Sequence, residues 1–309
     1  MLRAMPPCHP LLATLSRLCA GALIAALLAG CRNEPGGPDA SMAGVLLDMQ
    51  LREVSGLAAS TRHEGVLWLH DDGGNPARLF AVTTTGRRLA SFNVDGVVKT
   101  DWEDIESFQL DGRSYLLVAD VGDNGGLRRS LQLHVFEEPG EIANGRLRPA
   151  WSIAFRWPDG PRDAEAVAVD PVRGEVLLIS KKRQPPELFV VPLRPPTVRL
   201  LTARPLGTLY GLPGLEDGTS AAGRTPLARQ VTAASLSPDR RTLAVMTYRH
   251  LLLYHRREGQ DWANAVAGSP VVSALPWLPQ AEALGWSADG KALYATGEFM
   301  PAPLYRITP

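Results

Sequence analysis

Residues 165–192 read Glu-Ala-Val-Ala-Val-Asp-Pro-Val-Arg-Gly-Glu-Val-Leu-Leu-Ile-Ser-Lys-Lys-Arg-Gln-Pro-Pro-Glu-Leu-Phe-Val-Val-Pro. They contain three apolar runs separated by turn residues, which is the pattern of three consecutive antiparallel strands. The same order, a polar or acidic residue followed by small and apolar residues and then two further apolar runs, occurs five times. The five units begin at Ser55, Glu103, Glu165, Thr232 and Glu282. This repetition is typical of the inner strands of β-propeller blades and predicts an all-β fold.

The spacing of the five starts predicts the number of blades. The intervals are 48, 62, 67 and 50 residues, and four short strands with their turns need roughly 40–50 residues. We therefore predict five blades, with six as the alternative because the two longer intervals could hold additional strands. Outer strands are expected at residues 88–94, 151–157, 198–204 and within 265–274, and a surface loop is expected at residues 206–229.

The last unit runs out at Pro309 after three strands. We expect residues 44–51, from the other end of the chain, to supply its fourth strand. This closure pairs strand edges that would otherwise stay open. An open sandwich, the alternative fold, does not account for a fivefold repeat.

The N-terminal residues predict export and lipid attachment. Arg3 and Arg17 supply positive charge, and residues 23–29 form an apolar run too short to span a membrane. The motif Leu28-Ala29-Gly30-Cys31 resembles a bacterial lipobox. We therefore predict a signal peptide at residues 1–30 and a diacylglycerol group on Cys31. An ordinary cleaved signal or an uncleaved anchor is the alternative.

The segment after Cys31 predicts where the protein is located. Residues 31–42 are expected to form a flexible tether, and residues 43–309 a single propeller domain. Arg32, rather than Asp, follows the cysteine, which favours the outer membrane, facing the periplasm. The membrane is then a partner through the lipid anchor. Removal of residues 1–30 leaves two more acidic than basic residues, and no basic stripe predicts nucleic acid binding.

Strand order predicts that polar groups from all five units surround one mouth of the central channel. The second strand of each blade is antiparallel to the first, so the start of the first lies beside the end of the second. The groups at the second-strand ends are Asp71-Asp72, Asp120 with Asp123-Asn124, Lys181-Lys182, Thr247-Tyr248 and Glu298. Together with the five starts they make a mouth that is rich in carboxylates.

Crowded carboxylates need compensation, because each raises the pKa of its neighbours. A bound calcium ion is one source, and its candidate ligands are Asp72, Glu103, Asp120, Glu165, Glu282 and Glu298. Ion pairs with Lys181 or Lys182 and a protonated carboxylic acid are alternatives. Solvated acids, or acids that cap turns, are another alternative. The loop 120–126 is accordingly either a ligand loop or a Gly/Asn turn.

Several motifs resemble a largely uncharacterised group of secreted bacterial propeller proteins. They are Asp101-Trp102-Glu103-Asp104-Ile105, Asp120-Val121-Gly122-Asp123-Asn124, Glu165-Ala166-Val167-Ala168, residues 231–239, and Glu282-Ala283-Leu284 with Gly297-Glu298. More distantly, this group is similar to phytase-like, gluconolactonase-like and NHL-type propellers. The resemblance implies calcium at the channel in some members and hydrolysis of phosphate esters or lactones. A phytase-type Asp-rich opening motif is missing here, and Ser55 and Thr232 replace acids at two of the five starts.

Two functions follow as hypotheses. The first is a protein of the cell envelope that binds a small molecule or a protein partner at the acidic mouth. The alternative is a calcium-dependent hydrolase in which Glu103 or Glu165 activates water and Lys181 stabilises the developing charge. The sequence lacks a Gly-x-Ser-x-Gly elbow, a P-loop and histidines at zinc-ligand spacing.

Overall fold

A computed structural model describes residues 39–196, 199–213 and 226–309. The chain is nearly all β, with 52% strand and 3% helix, and forms a five-bladed β-propeller. The prediction of five blades is confirmed. Predictions that concern residues 1–38, including the signal peptide and Cys31, lie outside the described residues. The same holds for residue 198 of the predicted outer strand and residues 214–225 of the predicted loop.

Each blade is a sheet whose first strand lines the channel. The first blade contains β2 (Val54–Ala59), β3 (Val66–Asp71), β4 (Arg78–Thr83) and β5 (Arg88–Val94). The second contains β6 (Trp102–Leu110), β7 (Arg113–Asp120), β8 (Leu131–Glu137) and β10 (Trp151–Arg156). The third contains β11 (Ala164–Asp170), β12 (Glu175–Ser180), β13 (Glu187–Pro192) and β15 (Arg204–Thr208).

The remaining two blades follow the same plan. The fourth contains β16 (Val231–Leu236), β17 (Thr242–Thr247), β18 (His250–His255) and β19 (Val271–Ala274). The fifth contains β20 (Ala281–Trp286), β21 (Leu293–Gly297), β22 (Ala302–Thr308) and β1 (Asp39–Leu46). Two short helices, η1 (Leu227–Arg229) and α1 (Trp262–Val266), lie in the described part, and neither has the length and apolar character to cross a membrane.

The N-terminal strand closes the ring as predicted. β1 pairs antiparallel with β22, with Asp39 opposite Thr308 and Leu46 opposite Ala302. The strand begins and ends earlier than the predicted 44–51, so residues 39–42 of the expected tether belong to it. Pairing β22 over this length removes the open edge of the last blade.

The outer strand of the third blade differs from the prediction. It is β15, and the predicted segment 198–204 instead contains β14 (Leu201–Thr202), which pairs in parallel with β10 of the second blade. The first blade is extended in the same way by β9 (Gly145–Leu147), which pairs in parallel with β5. In both cases a connecting segment pairs with the outer strand of the preceding blade and covers its edge. The strand pattern within one blade does not predict this pairing, because the pairing joins two blades.

The core lies between the blades, which explains why the strands are apolar on both faces. Along β12, Val176 and Leu178 pack in the cluster shared with the second blade. The alternate residues Leu177 and Ile179 pack in the cluster shared with the fourth blade. Because successive side chains point to opposite faces, a blade between two neighbours buries both sets. The inner strands are held together at the channel through these clusters.

Candidate functional site at the channel mouth

The five predicted starts coincide with five breaks in strand register. In β6, Trp102 lies opposite Asp120 and Asp104 opposite Ala119, which leaves Glu103 as an extra residue. The same break occurs in the other four inner strands, at Ser55, Glu165, Thr232 and Glu282. A β-bulge redirects the side chain of its extra residue and is common beside functional sites. The sequence repeat therefore marks a repeated bulge at one level of the channel.

The structure brings the three glutamates of this level together, and all three are buried. Glu103, Glu165 and Glu282 are 4%, 3% and 8% exposed. Burial raises the pKa of Glu103 well above its usual range, and the charges of Glu165 and Asp72 raise it further. Burial raises the pKa of Glu165 as well, and Glu282 adds to the effect while Lys181 opposes it. Mutual repulsion of this kind requires the carboxyl groups to be close.

Lys181 is the buried cation of the mouth. It forms an ion pair with Glu165, and its ammonium nitrogen lies 5.3 Å from the centroid of the Tyr248 ring. Burial alone would lower the pKa of Lys181, but Glu165 raises it above its usual value. The Tyr248 hydroxyl donates to Glu282 Oε1 at 2.6 Å. These four side chains, Glu165, Lys181, Tyr248 and Glu282, form a connected chain across three blades.

A second cluster, which we call the carboxylate triad, consists of Asp72, Asp101 and Glu103. One potential ligand atom from each lies within 4.8 Å of the others. Burial raises the pKa of Asp101 to about 6, and the neighbouring Asp72 adds to this rise. A Cβ atom at Gly122 would overlap Glu103 Oε1 and lie 2.5 Å from Asp101 Oδ2. The glycine of the Asp-Val-Gly-Asp-Asn motif therefore makes room for the triad.

Four of the six predicted metal ligands lie outside the triad. Glu165 and Glu282 belong to the chain described above, and Asp120 and Glu298 lie elsewhere around the mouth. Asp120 accepts from the backbone amides of Thr100 and Asp101 at 2.8 and 3.1 Å and pairs with Arg128 at 2.6 Å. It thus positions the loop that carries Asp101. Glu298 accepts from the side-chain amide of Gln280 at the rim of the mouth. Burial raises the pKa of Glu298 to about 7, with a further contribution from Glu282.

Ser55 and Thr232, the hydroxyl residues at the two non-acidic starts, hydrogen-bond to the neighbouring inner strands at the level of the three glutamates. Ser55 Oγ donates to the Glu103 carbonyl at 2.9 Å and lies 3.3 Å from Glu103 Oε2. Thr232 Oγ1 donates to the Ala281 carbonyl at 2.7 Å. In the loop after Asp120, Asp123 accepts from the amides of Leu127 and Arg128. That loop is accordingly built as a turn.

Below the mouth, Asp104 crosses the channel. Its Oδ2 accepts from the amides of Val167 at 2.9 Å and Ala234 at 3.3 Å, while Oδ1 accepts from Ile105 at 2.9 Å. Burial raises the pKa of Asp104 well above its usual range, and the amide donors oppose this rise. One carboxyl group thus connects the inner strands of three blades and forms a polar floor beneath the mouth.

Sequence reasoning missed the roles of Asp101, Asp104 and Tyr248. Asp101 and Asp104 belong to the acidic Asp-Trp-Glu-Asp run, and the clustering of three acids in four residues is the sequence feature that points to them. Tyr248 was placed at the mouth without a role, because strand order does not show which side chain it contacts. Comparison with known proteins assigns no family, since neither a family model nor a curated protein matches the chain.

Proposed function

We propose that the channel mouth binds a cation, with a hard divalent ion such as calcium held by the carboxylate triad. The observation that carries this proposal is the approach of the three triad carboxylates to within 4.8 Å. Lys99 donates to the backbone carbonyls of Asp71 and Asp72 at 2.7 Å, and Lys181 pairs with Glu165, so neither ammonium group forms a salt bridge with a triad carboxylate. Carboxylate oxygens are the ligands that calcium prefers, and backbone carbonyls of the surrounding loops can complete a set of six to eight.

Thermal unfolding with and without calcium tests this proposal. Chelator-treated protein should melt at a lower temperature than protein with calcium, and saturation about 100-fold above the Kd should add about 2.7 kcal/mol of stability. Asp101→Asn and Glu103→Gln should lose the calcium-dependent shift. Glu137→Gln, an exposed carboxylate paired with Arg113, is the matched control and should keep it. Absence of a shift with calcium, or a full shift in both triad variants, would contradict the proposal.

Hydrolysis is the second candidate, favoured by the position of Glu165 and Lys181 next to the triad. Burial raises the pKa of Glu165 well above its usual range, and a carboxyl group with a raised pKa can serve as a general acid or base. Phosphate esters and lactones would be assayed with calcium in the wild type, Glu103→Gln and Glu165→Gln. Turnover that both variants lose supports catalysis. If the wild type turns over no substrate in these assays, hydrolysis is rejected and cation binding is retained as the function of the mouth.

We also propose that Cys31 carries a lipid that holds the propeller at the outer membrane, facing the periplasm. The support is the lipobox-like motif in the sequence, ahead of the strand that closes the ring. Labelling with a palmitate analogue and fractionation of the expressing cells test this. The wild type should be labelled and sediment with membranes, whereas Cys31→Ser should be unlabelled and released. An unlabelled wild type would contradict lipidation.

A further inference from the structure

The opposite end of the channel contains a second cavity, which we call the distal cavity. It has a volume of about 290 Å³ and is lined by the ends of the inner strands of all five blades. Glu103 of the mouth and Ser107 of the distal cavity are four positions apart along β6. At about 3.3 Å per residue they lie roughly 13 Å apart. The floor made by Asp104 lies between the two ends.

The wall of the distal cavity combines apolar and polar side chains in equal number. Phe108, Leu236 and Trp286 line it and are 5%, 8% and 8% exposed. The Trp286 indole nitrogen donates to the Ser235 carbonyl at 3.2 Å, so its polar atom is already satisfied within the protein. The cavity therefore offers apolar contact surface together with polar groups, and small-molecule sites are built from these two components.

Glu106 supplies the buried polar group of the distal cavity. It is 6% exposed, and its Oε1 accepts from the Leu236 amide at 2.9 Å. Burial raises the pKa of Glu106 to about 8. At pH 7 the carboxyl group is therefore mainly protonated and can donate a hydrogen bond. The ionisable group that interacts with it is Asp104 on the same strand, and Arg240 lies elsewhere on the cavity lining.

Arg240 supplies a positive charge. It lies in the turn between β16 and β17, where its carbonyl accepts from Arg256 at 2.7 Å and its φ is 59°. Among the described residues its guanidinium takes part in none of the ion pairs. The adjacent Asp239 accepts from Ser237 and from the Arg241 amide, and the charge of Arg240 also helps to lower the pKa of Asp239 against the effect of burial. The cavity thus combines apolar side chains, a carboxylic acid that is mainly protonated at pH 7 and a half-buried arginine that forms no salt bridge among the described residues.

We propose that the distal cavity binds a small organic carboxylate with an apolar body. The ligand carboxylate pairs with Arg240, its hydrocarbon part packs against Phe108 and Trp286, and Glu106 donates to a ligand oxygen. Arginine and carboxylate form charge-assisted hydrogen bonds that a neutral or cationic ligand cannot make. This site prefers the opposite charge to the mouth and is independent of cation binding there.

Isothermal titration with three probes of equal size tests the proposal: 3-phenylpropionate, 3-phenylpropan-1-ol and 3-phenylpropylamine. The carboxylate should bind best, the alcohol more weakly and the amine weakest. Arg240→Asn should weaken binding of the carboxylate about tenfold, and asparagine suits the positive φ of this turn. Arg241→Asn, in the same turn but outside the cavity lining, is the matched control and should bind like the wild type.

Three results would overturn the proposal. They are the absence of saturable 3-phenylpropionate binding, preferential binding of the amine, and wild-type affinity in Arg240→Asn with an unchanged melting temperature. The role of Glu106 has its own test. Wild-type affinity for the carboxylate should fall severalfold between pH 7 and pH 9, since the ionised Glu106 repels the ligand. Glu106→Gln should remove this pH dependence, and an unchanged dependence would exclude Glu106.

Discussion

Single side chains determine the charge balance of the mouth, and Lys181 has the largest effect. Its side chain is 8% exposed and that of Glu165 is 4% exposed, so the two form a buried ion pair. Loss of one partner of such a pair leaves an uncompensated buried charge, which is more costly than loss of both. Glu282 is close enough to raise the pKa of Glu165 and adds to this cost.

A double-mutant cycle measures this balance. Lys181→Met should destabilise the protein by roughly 3–5 kcal/mol, and Lys181→Met with Glu165→Gln should recover part of that loss. The free energies of unfolding in urea would be compared for the wild type, both single variants and the double variant. If the double variant is less stable than Lys181→Met by the full cost of Glu165→Gln, the two residues are uncoupled.

Among the secondary-structure elements, the repeated bulge is determined by the local sequence, whereas the bounds of strand β1 are determined by tertiary contacts. The bulges follow the sequence repeat, because each falls on the polar residue that begins an inner strand. β1 was predicted from a count of strands, and its actual bounds depend on contacts with the first blade. A Cβ atom at Gly44 would overlap the Thr85 carbonyl, and Leu46 is fully buried in the cluster between the first and fifth blades.

Removal of β1 tests whether the ring depends on this closure. A chain that begins at Leu47 leaves β22 as an open edge, whereas a chain that begins at Asp39 retains the full pairing. The shorter chain should unfold at a lower urea concentration and associate through the exposed edge. Size-exclusion chromatography and urea unfolding of the two chains check this. Equal unfolding midpoints and a monomeric shorter chain would show that β1 is dispensable.

For the whole molecule, the buried acids make stability depend on pH. The pKa of Glu106 in the folded state is about 8, above its ordinary value of 4.5, mainly because of burial. Between these two values the folded protein binds more protons than the unfolded chain, so stability falls as pH rises. His70, whose pKa burial lowers to about 4, has the opposite effect below about pH 6.5. Between pH 7 and pH 8, therefore, the change in stability with pH reports the buried acids and not His70.

Urea unfolding at pH 5, 7 and 8 would measure this dependence in the wild type and Glu106→Gln. The wild type should lose stability relative to the variant as pH rises through this range, by a few kcal/mol in total. In the glutamine variant the side-chain oxygen still accepts from the Leu236 amide. The two proteins therefore differ in the titration of residue 106 and not in this hydrogen bond. A constant difference between the two proteins at all three pH values would contradict a raised pKa of Glu106.

Sequence patterns are sufficient to predict the five blades, the closure of the ring by the N-terminal segment and the five positions that face the mouth. These features follow from local patterns, namely strand alternation and a repeat whose period matches one blade. Three features appear only in the folded structure. They are the triad of Asp72, Asp101 and Glu103, the pairing of Lys181 with Glu165 and the contacts of Asp104 with three inner strands. Whether side chains from different blades contact each other depends on the direction of each side chain and on the position of the loops. Neither of these is encoded in the order of apolar and polar residues along one blade.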